Sequence, residues 1–332
     1  MNVFLLVDIY ESSKLDFTYI QEWESLESIQ VIKHTLEDLG HKVYIFEPIR
    51  EKNKLLRELS KIKPGEKKYT ILWNLVEGFF SRNREAYVPS LAEFLGFPFT
   101  GSDAYAQILT LDKYLTKQVA NELKIPTCRS HLWISPNESL QLLDFPFFIK
   151  PNGEGSSLGV SQKNIIYSIK DWELFINSLD EKFFPLLLEE YLPNKEYTVG
   201  ILGSRNNLYP TRVLEVRYPS LVYGSETKSK SKMPESFHLT ADAQKENFIQ
   251  EASIQLAKRI GVSGYARIDW KEDKQENPKF LEINLTPGLS SVYSALPICA
   301  KFSGISYSQL LENIIKFALE DYELMSRKYG KY

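Results

Sequence analysis

One segment of the chain combines a lysine with a cluster of small residues. Lys150 ends an apolar run, and residues 151–159 contain three glycines and two serines, Ser156 and Ser157. Because glycine has no side chain and tolerates positive φ, backbone N–H groups of such a loop can approach phosphate oxygens. The loop is a candidate phosphate-binding site. The alternative is a plain hairpin turn, and the segment does not match G-x-x-x-x-G-K-[ST].

Two apolar segments further along carry alternating polar residues. Side chains alternate along a β-strand, so Arg267 shares a face with Asp269, and Glu282 shares a face with Asn284. Asp, Glu and Asn oxygens suit Mg²⁺ bound to nucleotide phosphates, and a neighbouring arginine can stabilise developing negative charge. The alternative is a pair of edge strands with solvated polar faces.

An acidic segment at 189–196 follows another apolar run. Its backbone groups can contact a nucleotide base, and its carboxylates can accept hydrogen bonds from ribose hydroxyls. A solvated acidic linker is the alternative interpretation.

The apolar pattern predicts the framework that positions these candidates. Residues 1–103 alternate strand and helix as a βαβ domain, and residues 104–187 begin with one helix over 104–123 and carry the candidate phosphate loop. Residues 188–332 supply the two polar strands and a Ser- and Lys-rich loop of the kind that covers ligands. We predict an α/β protein of three domains.

Composition and charge exclude several functional classes. The 332 residues carry a net charge of −3 with mixed signs, which gives no positive field for nucleic acid. The first apolar run, 3–7, is too short for a signal peptide or a bilayer span, so we expect a cytoplasmic protein with no membrane partner. Cys128 and Cys299 lack metal or redox spacing and are expected to be inert core residues.

In chain order, these motifs resemble those of ATP-grasp proteins, and in particular of the D-alanine–D-alanine ligase group. The resemblance is carried by Phe99-Thr100-Gly101-Ser102, Leu111-Asp112-Lys113, residues 149–159, residues 264–269, and Glu282-Ile283-Asn284 with Pro287-Gly288. It implies a Rossmann-like N-terminal domain, followed by a small central and a C-terminal ATP-grasp domain with ATP between them. It also implies that a carboxylate and an amine are joined through an acyl phosphate.

The resemblance assigns roles at the nucleotide site residue by residue. The phosphates are assigned to Lys113, Lys150 and the amides of Ser156 and Ser157. Adenine is assigned to Glu189, the hinge backbone to Glu190 and Leu192, and ribose to Glu196. Two Mg²⁺, which Mn²⁺ could replace, are assigned to Asp269, Glu282 and Asn284. In catalysis, Arg267 and the Gly288 N–H form an oxyanion site, while Lys228 and Ser156 belong to the loops that cover it.

The chain departs from that group where the amino acids bind. A G-G-x-S-x-E stretch, whose glutamate holds the first substrate's ammonium, is replaced by residues 8–13 and an insertion reaching Glu24, from which Glu22 or Glu24 could restore the ammonium site. L-H-G and G-E-D-G are replaced by 74–78 and 82–85. The serine and leucine that receive the second carboxylate align near Tyr293 and Ser294. These differences predict substrates other than two D-alanines.

We therefore expect an amide-forming ligase that joins an amino acid to another small carboxylate or amine. Natural-product assembly, such as addition of an amino acid to a mycosporine core, is one setting that the resemblance implies. A D-alanine–D-alanine ligase of cell-wall synthesis is the alternative within the class. A non-catalytic ATP-binding regulatory protein is the alternative from another class. A homodimer is compatible with the pattern.

Overall fold

The structure is a computed structural model that describes residues 1–10, 23–78, 81–138, 142–155, 161–218 and 235–329. Its strands are β1 (Asn2–Val7), β2 (Lys42–Phe46), β3 (Thr70–Leu75), β4 (Ser130–Trp133), β5 (Phe147–Pro151), β6 (Ile165–Ile166), β7 (Leu186–Glu190), β8 (Glu196–Gly203), β9 (Tyr209–Pro210), β10 (Leu214–Arg217), β11 (Ser236–Leu239), β12 (Gly264–Glu272) and β13 (Pro278–Asn284). Its helices are α1 (Leu26–Asp38), α2 (Pro48–Ser60), α3 (Tyr87–Leu95), α4 (Ala104–Leu111), α5 (Lys113–Glu122), α6 (Ile169–Asn177), α7 (Ala243–Ile260), α8 (Ala295–Phe302) and α9 (Tyr307–Tyr329). Within these ranges no helix is long and apolar enough to cross a bilayer.

The N-terminal sheet has the parallel order β2-β1-β3. Both faces of β1 are buried: Val3 and Leu5 belong to the cluster that contains Ile29 of α1, while Phe4 and Leu6 pack with residues of α2 and α3. Burial on both faces is what a near-continuous apolar strand predicts for a parallel sheet. The carboxyl end of β1 leads into Asp8, whose side chain is also buried.

The predicted single helix over 104–123 is wrong. The chain breaks at Asp112, whose extended backbone (φ −83, ψ 96) separates α4 from α5 and whose carboxylate caps α5 by accepting from the Leu115 N–H. Asn152 donates to the same carboxylate at 2.8 Å, and its side-chain oxygen accepts from the Tyr114 N–H. An Asp cap competes with helix continuation, and here it ties the start of α5 to the phosphate loop.

The central sheet is antiparallel with the order β4-β7-β5-β6. An aromatic cluster that includes Trp133, Phe147 and Trp172 of α6 packs against it. Because β7 pairs inside this sheet, we place the boundary to the C-terminal domain after Glu190 rather than at 187/188. The division into three domains remains a proposal.

The C-terminal sheet has the order β11-β10-β8-β12-β13, with β9 paired to β8. Helix α7 buries Ile249, Leu256 and Ile260 against the sheet residues. Helices α8 and α9, which the sequence analysis did not place, join the N-terminal core through residues such as Leu296 and Leu310. The fold is mixed α/β, as predicted, and its sheets bring the candidate residues toward one another.

Candidate active site

Strands β12 and β13 place the four polar residues as the alternation predicts. Asp269 lies directly opposite Glu282, and Arg267 lies opposite Asn284 in the antiparallel register. Strand β12 is paired on both sides, with β8 and β13, so it is not an edge strand. The interpretation of these residues as the solvated faces of two edge strands is therefore wrong for β12.

The carboxylate of Asp269 is held by three neighbours. Arg267 contacts it through Nη2 at 2.8 Å and Nε at 3.0 Å, Thr198 donates at 2.8 Å, and the Asn284 side-chain amide donates at 3.2 Å. Burial raises the pKa of Asp269 above its ordinary value, and Arg267 opposes that shift. In the structure, Arg267 is therefore the cation that partners this carboxylate.

Glu282 faces two lysines. The ammonium groups of Lys113 and Lys150 each lie 4.0 Å from its carboxylate. Burial alone would raise the pKa of Glu282, but the two lysines outweigh it and lower that pKa. A carboxylate pair bordered by lysines is an arrangement suited to a polyphosphate bound with a divalent cation.

The donor set fits Mg²⁺. Asp269, Glu282 and Asn284 offer two carboxylates and one amide group on adjacent strands, which are hard oxygen donors. Among the residues that the structure describes, no group of three or more His, Cys, Asp or Glu side chains could hold a metal ion. Bound phosphate oxygens and water would therefore have to complete the coordination.

Glu189 is not part of a solvated linker, which corrects that interpretation. Its side chain is 2% exposed and lies 2.8 Å from the ammonium groups of both Lys117 and Lys150. Burial would raise the pKa of Glu189, but the two lysines outweigh burial and lower it to about 2. The carboxylate stays charged, and it fixes Lys150 between itself and Glu282.

Lys117 is the site residue that the sequence analysis missed. It is fully buried and also donates to the Phe280 carbonyl at 3.3 Å and to the Thr127 hydroxyl at 3.2 Å. The available signal was its position four residues after Lys113 on α5, on the same helix face. A fully buried lysine persists only when it is paired and hydrogen bonded.

The two cysteines are buried, as expected for core residues. Cys128 lies 3.5 Å from the Lys117 ammonium, yet burial raises the pKa of its thiol to about 11. Burial raises the pKa of Cys299 to about 12. Both thiols are therefore protonated at neutral pH and unreactive.

The hinge residues are placed by β7 and β8. The Glu190 N–H donates to the Arg129 carbonyl at 2.9 Å, so that N–H is already used within the protein, and Leu192 is buried. The Glu196 carboxylate accepts from Lys271 at 3.0 Å and from the Tyr218 hydroxyl at 2.7 Å. A ribose would have to share or displace these two partners.

Gly288, which the resemblance assigns to an oxyanion site, lies in the loop after β13. A Cβ added to Gly288 would come within 2.7 Å of the Ser294 hydroxyl and 3.2 Å of Glu24 Oε1, so a larger residue there would have to displace these side chains. Glu24, which is buried, also accepts from the Leu289 N–H at 3.2 Å and the Tyr293 hydroxyl at 3.0 Å. An anion from the N-terminal domain therefore borders the glycine. Glu22, Ser156, Ser157 and Lys228 lie outside the described residues.

Asp8 provides a test of this end of the N-terminal sheet. Burial raises the pKa of Asp8 to about 6, although the Gly78 N–H donates to it at 2.8 Å. The folded-state pKa exceeds the unfolded value, so protonation stabilises the fold at low pH, and that stability is lost as the pH rises through about 6. Asp8→Asn keeps an acceptor for Gly78 and should raise the unfolding free energy by at most about 3 kcal/mol at about pH 8, and by less at about pH 5.

Urea denaturation of this variant at both pH values measures the effect. Asp38→Asn, at the exposed end of α1, is the control. An equal change at both pH values for Asp8→Asn would contradict the burial argument.

Solved structures share this architecture. The D-alanine–D-alanine ligase of Bacillus anthracis complexed with ATP matches with a TM-score of 0.75 at 20% identity, covering 98% of this chain and 99% of that one. The D-alanine–D-alanine ligase of Coxiella burnetii matches with a TM-score of 0.73 at 17% identity, over 99% and 96%. These likenesses show that the chain has the fold of those proteins over nearly its whole length.

Sequence relatives define the family. A family model described as the D-ala D-ala ligase C-terminus matches residues 126–316. A D-alanine–D-alanine ligase of Aquifex aeolicus is 31% identical over 88% of this chain and 94% of that protein, and one of Thermotoga petrophila is 29% identical over 89% and 92%. The chain belongs to the D-alanine–D-alanine ligase family, which confirms the resemblance.

Proposed function

We propose that this protein uses ATP and Mg²⁺ to join a carboxylate to an amine, with an acyl phosphate as intermediate. The observation that carries the proposal is the position of Glu282, which lies opposite Asp269 and 4.0 Å from both Lys113 and Lys150. Phosphate oxygens can bind the lysines, while the carboxylates and Asn284 hold Mg²⁺, which would neutralise charge during phosphoryl transfer.

Arg267 and Gly288 supply the second half of the chemistry. A metal ion held by Asp269 would take the place of Arg267 at that carboxylate, and Arg267 would then be available to stabilise the oxyanion that forms when the amine attacks. The Gly288 N–H is the second donor. A purely regulatory ATP-binding protein has no use for such a pair, so the catalytic interpretation is the better one.

We further propose that the amide joins an amino acid to a partner other than D-alanine. Glu24 beside Gly288 is suited to an amino acid's ammonium group. The Tyr293 hydroxyl is already bonded to Glu24, so its ring occupies space beside the same loop. If the second substrate were D-alanine, its carboxylate would lie beside the Tyr293 ring and the buried Glu24 carboxylate. This arrangement favours a second substrate other than D-alanine, as in the assembly of other small molecules.

A D-alanine–D-alanine ligase is the second candidate. Two observations favour it: the names of the curated relatives, and the position of Glu24, which can replace the missing ammonium glutamate. The location in the cytoplasm and a homodimeric state remain predictions.

Phosphate release and product analysis distinguish the two candidates. Purified protein with Mg²⁺ and ATP should release phosphate with D-alanine alone at least about a hundredfold more slowly than with the best pair from a panel of D- and L-amino acids and other amines, because each lost polar contact costs about 1–3 kcal/mol. Glu24→Gln should weaken binding of the amino acid under both candidate functions. Robust D-alanyl-D-alanine synthesis at millimolar D-alanine would establish the second candidate instead.

A further inference from the structure

Arg84 belongs to the N-terminal domain, yet its side chain reaches the base of the phosphate loop. The residue is only 5% exposed. Its Nη1 donates to the Gly153 carbonyl at 3.0 Å, and its Nη2 lies 3.4 Å from Oε2 of Glu154. The hydrogen bond and the ion pair offset part of the cost of burying the guanidinium charge. The contact joins two parts of the chain that are far apart in sequence.

Lys113 holds the neighbouring peptide of the same loop. Its ammonium donates to the Glu154 carbonyl, one residue after the carbonyl that Arg84 contacts. The same ammonium lies 4.0 Å from Glu282. A shift of residues 153–154 would therefore also move the carbonyl that orients a lysine of the phosphate site.

Arg84 is fixed in turn by the N-terminal sheet. Gly78 adopts φ +65 and packs so closely that a Cβ there would lie 2.9 Å from the Arg84 Cβ. The Gly78 N–H is bound by Asp8 at the end of β1. Asp8, which follows β1, thus contacts Gly78, Gly78 packs against Arg84, and Arg84 contacts the phosphate loop.

We propose that Arg84 is a positioning residue of the nucleotide site. It holds Gly153 and Glu154, and through the Glu154 carbonyl also Lys113, where phosphates can bind. Nucleotide binding thereby depends on the N-terminal domain. The forked guanidinium suits this role because it reaches a carbonyl and a carboxylate together, which an ammonium does not do equally well. The inference rests on the proposed function in taking ATP as the nucleotide.

Arg84→Met tests the role. We expect the Kd of ATP with Mg²⁺ and the KM for ATP to rise about tenfold, with kcat changed less than about threefold, because the residue orders the nucleotide site and does not touch the reacting atoms. Arg84→Lys should recover part of the affinity. Arg82→Met removes an exposed arginine from the same segment and should leave the affinity unchanged.

Hydrogen exchange and a double mutant provide two further tests. Backbone exchange of residues 150–155 in the nucleotide-free protein should accelerate at least about tenfold in Arg84→Met but not in Arg82→Met. Because Glu154→Gln removes part of the same contact, the double variant should lose less affinity than the two single effects combined. Unchanged exchange and ATP affinity in Arg84→Met would overturn the proposal. Failure of the wild type to bind ATP would instead refute the proposed function, while exchange still tests the contact.

Discussion

Replacing Arg267 with Met should lower kcat about 100- to 1,000-fold, while the affinity for ATP with Mg²⁺ changes only a few-fold. Loss of one oxyanion donor has an effect of this size on rate, because the contact strengthens only as negative charge develops. In the structure the guanidinium is bound to the Asp269 carboxylate, and a metal ion on that carboxylate would take the place of the guanidinium. The arginine is thus not required to hold the nucleotide itself.

Steady-state rates of amide formation and calorimetric ATP binding measure the two effects separately. Arg259→Met, which removes an exposed arginine paired with Glu122, is the matched control. Unaltered turnover in Arg267→Met would rule out the oxyanion role. A rate loss fully explained by weaker ATP binding would make the arginine a structural support of Asp269 instead.

Replacing Glu282 with Ala should abolish the effect of Mg²⁺ on ATP affinity. Removal of a direct ligand is expected to lower the affinity for the metal ion at least about a hundredfold, since loss of an outer-shell partner alone lowers metal affinity about 10- to 100-fold. Without Mg²⁺, the same substitution should leave the ATP affinity unchanged or raise it. Glu282 lies beside Lys113 and Lys150, so its removal leaves two cations for the phosphates, and metal-free ATP should bind as well as before or better.

Titration of ATP with and without Mg²⁺ tests both halves of this prediction. Glu251→Ala, on the exposed face of α7, is the control. Wild-type protein that binds ATP equally with and without Mg²⁺, or a Glu282→Ala variant that retains the wild-type response, would argue against the metal site.

Local patterns predicted much of the site. Period-two alternation placed Arg267 with Asp269 and Glu282 with Asn284, and the register of β12 and β13 agrees because adjacent antiparallel strands pair directly. Gly96 ends α3 in the left-handed conformation that glycine favours after the last turn of a helix. Each of these signals depends on neighbours along the chain.

Contacts between distant segments were not predictable in the same way. The sequence gives no sign that Lys117 on α5 meets Glu189 on β7. It allows Glu24 to reach the amino-acid site but does not place it beside Gly288, because no periodic pattern relates residues so far apart along the chain. The break at Asp112 was missed for a related reason. The apolar pattern continues through it, and the break is stabilised by Asn152, which lies in another segment.

The sequence by itself determined the fold class, the family and the chemical character of the site, because burial periodicity and the order of motifs are properties of a linear chain. Only the tertiary structure decided which charges meet. It placed Lys150 between Glu189 and Glu282, bound Arg267 to Asp269, and brought Arg84 to Gly153. The physical reason is that a charge acts on whatever lies within a few ångströms, and packing of the three sheets, rather than sequence separation, sets those distances.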